Sequence, residues 1–233
     1  MKTDERAGVE IVTLTAADGH QFEAFCAKPQ GSSKGGVVVL HAVFGLAEAI
    51  AVVCARWAEA GYTAVAPALY DRLSPHQVHP YTEAGVQGGV ESYAALSQAQ
   101  IFADVLACAD QAGGLARTAI SGFCTGGSWA WRAAAHFDFA AQVNFYGSHV
   151  HLEDHIHLAP RCPTIIHYGD GDFVVPLAQI ERIKDLHPSV EMHIYEGAGH
   201  AFLNPDQAYY KPEAARLAWA RSIDFMDRHL ARG

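Results

Sequence analysis

Cys124 stands in the run Ser121-Gly122-Phe123-Cys124-Thr125-Gly126-Gly127, with a glycine two positions to either side. The strand-like Thr118-Ala119-Ile120-Ser121 leads into it, and Ser128-Trp129-Ala130-Trp131-Arg132-Ala133-Ala134 reads as a helix after it. A strand that turns sharply into a helix through small residues is the setting of a nucleophile elbow, here with cysteine where serine is commoner. Glycines are needed because the reactive residue occupies a strained turn with no room for neighbouring side chains. At the first turn of a helix, the positive end of the dipole and the free N–H groups favour thiolate over thiol. The competing reading of Cys124 is a small buried hydrophobe in a glycine-rich turn.

A thiolate nucleophile requires an acid–base partner, and two later loops supply candidates. The stretch Glu196-Gly197-Ala198-Gly199-His200-Ala201-Phe202 follows the last expected strand and presents His200. Before it, Ile165-Ile166-His167-Tyr168 runs into Gly169-Asp170-Gly171-Asp172-Phe173-Val174-Val175-Pro176, which offers a carboxylate. Nucleophile, acid and base in that chain order are the arrangement of hydrolase triads on α/β sheets. Asp170 and Asp172 are both acid candidates; the alternative for Asp170 is a turn residue capping its own backbone. The N–H of the residue after the nucleophile, Thr125, is an expected oxyanion donor.

Positioning these groups calls for strands that end at one edge. Val9 to Leu14 and Gln21 to Phe25 flank Asp18-Gly19, a hairpin signal. Short continuous apolar runs then mark strands covered on both faces: Val37 to Leu40, Thr63 to Ala66, Thr118 to Ser121, Gln142 to Tyr146, Thr164 to Tyr168 and Glu191 to Tyr195. Helical segments alternate with them at Ala47 to Ala60, Glu91 to Gln111, Gly127 to Phe137, Leu177 to Leu186 and Pro212 to Leu230. The pattern predicts an α/β fold, a three-layer sandwich around a mostly parallel eight-stranded sheet, with chemistry at the carboxyl ends of the strands. No linker or internal repeat divides residues 1–233, so a single domain is expected.

Composition excludes several classes. With 16 Lys+Arg against 25 Asp+Glu in 233 residues the net charge is −9, and no dense basic run exists to neutralise phosphates, so neither nucleic acid nor an anionic membrane is an expected partner. The charged start Met1-Lys2-Thr3-Asp4-Glu5-Arg6 lacks a secretory pattern, and no apolar run is long enough to span a bilayer, which predicts a cytoplasmic protein. Five cysteines, none in a CxxC pair, argue against a disulfide or zinc framework, and Cys26, Cys54, Cys108 and Cys162 read as core packing.

On these residues the chain resembles the dienelactone hydrolase (carboxymethylenebutenolidase-like) family of the α/β-hydrolase fold. The resemblance extends over His41-Ala42-Val43-Phe44-Gly45-Leu46, Gly61-Tyr62, Pro67-Ala68-Leu69-Tyr70, Gly122 to Gly127, Gly169 to Pro176, Gly199-His200-Ala201-Phe202 and the closing helix containing Ala218-Trp219-Ala220-Arg221. It implies a cysteine-dependent ester or lactone hydrolase with a Cys124, Asp172 and His200 triad, a thioester intermediate, no cofactor and no metal. It also implies Val43 as the second main-chain oxyanion donor beside Thr125; otherwise Val43 is a packing residue. A small-molecule ester or lactone is the expected partner, and the chain is expected to act as a monomer or homodimer. The alternative is a non-catalytic or redox-sensing thiol protein on the same fold.

The chain departs from the family pattern at Ala42, at Asn204 and in having no basic residue between Tyr81 and Leu96 to match a second substrate-binding arginine. Ala42 stands where the family commonly has a glutamate, which leaves His200 and the helix end to stabilise the thiolate. Asn204 stands where a substrate-binding arginine occurs, which favours a neutral or apolar ester or lactone. Candidate pocket residues are His41, Phe44, Arg72, Phe123, Tyr146, His149, Phe202 and Asn204, each with a bland reading as core, loop or surface. The crowded His149, His151, His155 and His157 could form a metal site or be polar loop or surface, and His149 or His151 could shape the pocket.

Overall fold

Every strand expected from the apolar runs forms. The computed structural model describes residues 8–230. The charged start at Met1 to Arg6 lies outside the described residues. Eight strands form one sheet in the order β1-β2-β4-β3-β5-β6-β7-β8. The chain resolves into two compact units, Met1–Thr118 and Ala119–Gly233.

In the first unit β1 (Val9–Thr15) and β2 (Gln21–Ala27) pair antiparallel across a loop in which Gly19 takes φ 85°. Next, β2 pairs antiparallel with β4 (Thr63–Pro67), and β3 (Gly36–Leu40) pairs parallel with β4. Val37, Val38, Val39 and Leu40 are fully buried, as a run without alternation requires. Helix α1 (Glu48–Glu59) packs on β2 and β4, with Trp57 edge-on to Tyr62 at 5.9 Å. Cys26, Cys54 and Cys108 are buried, and burial pushes each thiol up.

One expected helix is two. The segment predicted as Glu91 to Gln111 splits into α2 (Glu83–Ala94) and α3 (Gln98–Gln111). The break is a capping box: the Ser97 hydroxyl accepts from the Gln100 N–H while the Gln100 side chain accepts from the Ser97 N–H. Three glycines in α2 hid its beginning, and alanine on both sides of Ser97 hid the restart.

In the second unit β5 (Thr118–Phe123), β6 (Ala141–Phe145), β7 (Thr164–Gly169) and β8 (Glu191–Tyr195) pair parallel in sequence order. Helices α4 (Thr125–His136), α5 (Glu153–Ile156), α6 (Leu177–Leu186) and α7 (Pro212–Leu230) follow β5 to β8 in turn. Phe123 lies beside Phe145, Phe145 beside His167, and Gly169 beside Tyr195. The residues that leave the sheet next are therefore Cys124, Tyr146, Asp170 and Glu196, in a row along the carboxyl edge.

Candidate active site

Cys124 leaves β5 at φ 54°, a left-handed conformation unusual for a non-glycine residue. The turn is possible because Gly122 has no side chain: a Cβ there would sit 2.2 Å from the Gly126 carbonyl oxygen. Backbone hydrogen bonds hold the conformation. The Cys124 N–H donates to Phe145 at 3.0 Å, and its carbonyl accepts from the N–H groups of Ser128 at 3.2 Å and Ser148 at 3.1 Å. The side chain is half-buried, with Sγ 3.8 Å from the Thr125 Oγ1.

His200, on the loop after β8, is buried. Its Nδ1 lies 2.9 and 3.1 Å from the two carboxyl oxygens of Asp172. Asp172 is itself fixed, because Oδ1 also accepts from the N–H groups of Val174 at 2.8 Å and Val175 at 2.9 Å. Asp170, two residues earlier, accepts from the Gly197 N–H at 2.8 Å, so it ties the β8 loop to the β7 loop rather than capping its own backbone. With Nδ1 engaged, the buried Nε2 of His200 is the nitrogen left without a hydrogen-bond partner among the described residues.

The electrostatics of this group oppose its burial. Burial pushes the Cys124 thiol up, but the positive charge of His200, followed by the hydroxyls of Thr125 and Ser148, outweighs it, and the net direction is down. Burial pushes His200 down, while the adjacent sulfur and then Asp172 raise it to about 10. Opposite shifts on partners describe a thiolate beside an imidazolium. A sulfur and a ring in those states have the chemistry of a nucleophile and of a proton donor.

Aromatic rings enclose the imidazole. Tyr146, at φ 43°, meets His200 edge-on at 5.1 Å and Phe202 at 5.6 Å. Phe123 stacks on Phe145 at 4.8 Å. Strained non-glycine residues thus gather at the ends of β5 and β6 and, with Ala201 at φ 61°, beside His200.

The remaining candidate residues fall in varied surroundings. His149 is half-buried, and burial, followed by the neighbouring His155, His151 and His200, holds it down. Asn204 spends its Oδ1 on the N–H of Asp206 at 3.0 Å, which shapes the turn after His200. In the first unit the Val43 carbonyl accepts from the Tyr70 hydroxyl at 3.0 Å, and Phe44 packs edge-on to Tyr81 at 4.4 Å. His41 is fully buried and held neutral, its basicity pushed down to about 4, with Nδ1 2.7 Å from the Ala42 carbonyl oxygen. Arg72 is committed to carboxylates: Nε and Nη2 both lie 2.8 Å from the buried Asp104, and Nη1 lies 2.8 Å from Asp18. Its guanidinium is a tie between elements rather than an open anion site.

Two contributors went unnoticed in the sequence. Ser148 was passed over although it directly precedes His149 at the same strand end; its hydroxyl helps lower the Cys124 thiol. Phe173 follows Asp172 and lies edge-on to His200 at 5.8 Å. Among the described residues no group of three or more His, Cys, Asp or Glu side chains is placed to hold a metal ion.

Comparison with known proteins places relatives beside this geometry. Residues 22–230 match the dienelactone hydrolase family. A putative carboxymethylenebutenolidase of Methylorubrum extorquens is 32% identical over 240 residues, covering 94% of this chain and 80% of the relative. The carboxymethylenebutenolidase of Pseudomonas putida is 27% identical over 227 residues, covering 93% and 95%. Among solved structures, a putative dienelactone hydrolase from Klebsiella pneumoniae superposes with a TM-score of 0.79 at 27% identity, covering 94% of this chain and 99% of its own.

Proposed function

The chain belongs to the dienelactone hydrolase family, and from that membership we propose that it is a lactone or ester hydrolase working through Cys124, His200 and Asp172. The observation that carries the residue assignment is the pairing of His200 Nδ1 with Asp172, which leaves Nε2 free for a thiol whose proton is already labile.

In the first half-reaction the Cys124 sulfur attacks the carbonyl carbon, a C–S bond forms, and the carbonyl electrons move to oxygen. The Thr125 N–H, at the start of α4, stabilises this oxyanion; the N–H of Val43 is the second donor that the family resemblance implies. One such donor is typically worth on the order of 10² to 10³ in rate. The intermediate collapses with cleavage of the C–O bond, and His200 gives its Nε2 proton to the departing alkoxide. In the second half-reaction water attacks the thioester, His200 takes the water proton, and the thiolate leaves as the acid product forms. Asp172 holds the ring orientation and tautomer throughout. None of these steps calls on a cofactor.

Hydrolysis of short-chain activated esters and of neutral and carboxylated lactones by the wild type, Cys124→Ala and His200→Ala tests the reading. Each substitution is expected to lower kcat/KM on the order of 10³-fold or more. Background-level rates in all three proteins would reject catalysis and leave a thiol-sensing role. The committed Arg72 and the turn-bound Asn204 support a preference for neutral over dianionic lactones.

A further inference from the structure

The loop after β6 folds back onto the nucleophile turn, and the hydrogen bonds that fasten it lie within the second unit. Tyr146 takes φ 43° at the end of the strand, and the Gly147 N–H donates to the Asn144 Oδ1 at 3.0 Å. Beyond that bend the Ser148 N–H donates to the Cys124 carbonyl at 3.1 Å, beside the Ser128 N–H at 3.2 Å and the Ser128 hydroxyl at 3.3 Å. The Ser128 hydroxyl accepts in turn from the His149 N–H at 2.8 Å. The His149 carbonyl oxygen lies 2.9 Å from His155 Nδ1. Main-chain groups therefore fix Ser148 and His149 against the cysteine, and the fold does not spend their side chains on it.

Those side chains form a short series beside the sulfur. Ser148 is buried, its Oγ lies 3.2 Å from His149 Nδ1, and its hydroxyl helps draw the Cys124 thiol down. A hydroxyl has one proton to give, and a thiolate can only accept. With the Ser148 proton on the sulfur side, a lone pair is left facing His149, and Nδ1 has to carry the ring hydrogen. His149 suits that form: burial, followed by His155, His151 and His200, holds its basicity down, so the ring is neutral at neutral pH. In the other tautomer a bare Nδ1 would take the Ser148 hydrogen bond for itself and leave the sulfur without it.

We propose that His149 is a positioning residue whose Nδ1–H turns the Ser148 hydroxyl onto the Cys124 sulfur, so that the thiolate rests on a second arm beside the His200 imidazolium. This deepens the hydrolase reading above and rests on Cys124 being its nucleophile. No covalent bond changes and no proton is transferred; the arm stabilises charge that is present before a substrate arrives. A hydrogen bond to a charged group is strong enough to alter the thiolate fraction about tenfold or more.

The test is alkylation of Cys124 by iodoacetamide across a pH series, followed by the mass of the peptide that carries it. Wild type, Ser148→Ala, His149→Phe and the double variant are compared; His200 and Asp172 are unchanged in all four, so their contribution cancels. The arm predicts an inflection moved up in Ser148→Ala, with about tenfold or more less thiolate on its acid side. His149→Phe moves it the same way by less, and the double variant moves no further than Ser148→Ala, because His149 acts only through the hydroxyl. Should Ser148→Ala fail to fold, His149→Phe at its half-buried position decides alone. An unmoved inflection in either single variant, or shifts that add in the double, would overturn the arm while the triad reading stands. Hydrolysis of phenyl acetate is expected to fall in parallel with the thiolate. If it survives Cys124→Ala, the triad reading is overturned, and the catalytic use of the arm with it.

Discussion

At the residue scale, the central fact is that Cys124 and His200 displace each other's proton in opposite senses. The thiol lies below its usual 9.0, so thiolate persists at pH values where an ordinary cysteine is protonated, and it is lost only as pH falls through that lowered value. His200 is raised to about 10, so its proton is retained until pH rises through that range. Alkylation of Cys124 by iodoacetamide is therefore expected to stay fast at neutral pH and to slow on acidification. In His200→Ala the inflection should move up, because burial then acts on the sulfur with only two hydroxyls opposing it. An unmoved inflection would show that the histidine does not govern the thiol. Asp172→Asn should fold normally but lose on the order of 10³-fold or more in kcat, since an amide N–H facing Nδ1 favours the wrong tautomer. Circular dichroism and steady-state kinetics on the same preparation check both halves of that expectation.

Elements act here by presenting backbone rather than side chains. Helix α4 holds the Thr125 N–H beside the sulfur-bearing turn, and Gly122 lets the strand close on it. In the first unit α2 approaches the loop after β3 so closely that a Cβ on Gly89 would lie 1.9 Å from the Val43 carbonyl oxygen. The Tyr70 hydroxyl bridges the same two elements, donating to the carbonyls of Val43 at 3.0 Å and Gly89 at 3.1 Å. Gly89→Ala must push helix and loop apart, at about 1 to 3 kcal/mol. A lower urea midpoint with an unchanged m-value is the expected result. If the Val43 peptide is an oxyanion donor, kcat should fall as well; a destabilised enzyme with full kcat would remove Val43 from that role.

At the scale of the whole molecule, an acidic chain of net charge −9 still covers the guanidinium of Arg72. Arg72, whose side chain is 5% exposed, joins the β1–β2 loop through Asp18 to α3 through the fully buried Asp104. Removing one member of a buried pair strands the other, at about 3 to 5 kcal/mol. Arg72→Ala is accordingly expected to unfold at clearly lower urea, and Arg72→Leu combined with Asp104→Leu to recover most of the loss. Were Arg72 a substrate ligand instead, the single change would raise KM and leave the midpoint alone. Among the described residues no helix is long and apolar enough to cross a membrane.

The order of strands and helices, the glycines of the elbow and the succession of cysteine, carboxylate and histidine were all legible in the chain. They are local: apolar runs and small residues record how the backbone must bend and which faces are covered. The split between α2 and α3 was also written locally, in Ser97 and Gln100, but alanine-rich flanks on either side concealed it. What only the folded molecule decided was partnership. Whether Asp170 or Asp172 reaches the imidazole, whether Arg72 is free or spent, and whether Ser148 and Phe173 lie beside Cys124 and His200 depend on residues tens of positions apart that meet only when the sheet aligns its strand ends. Periodicity states that a side chain is covered; which group covers it is set by the register of strands and the turns that follow them.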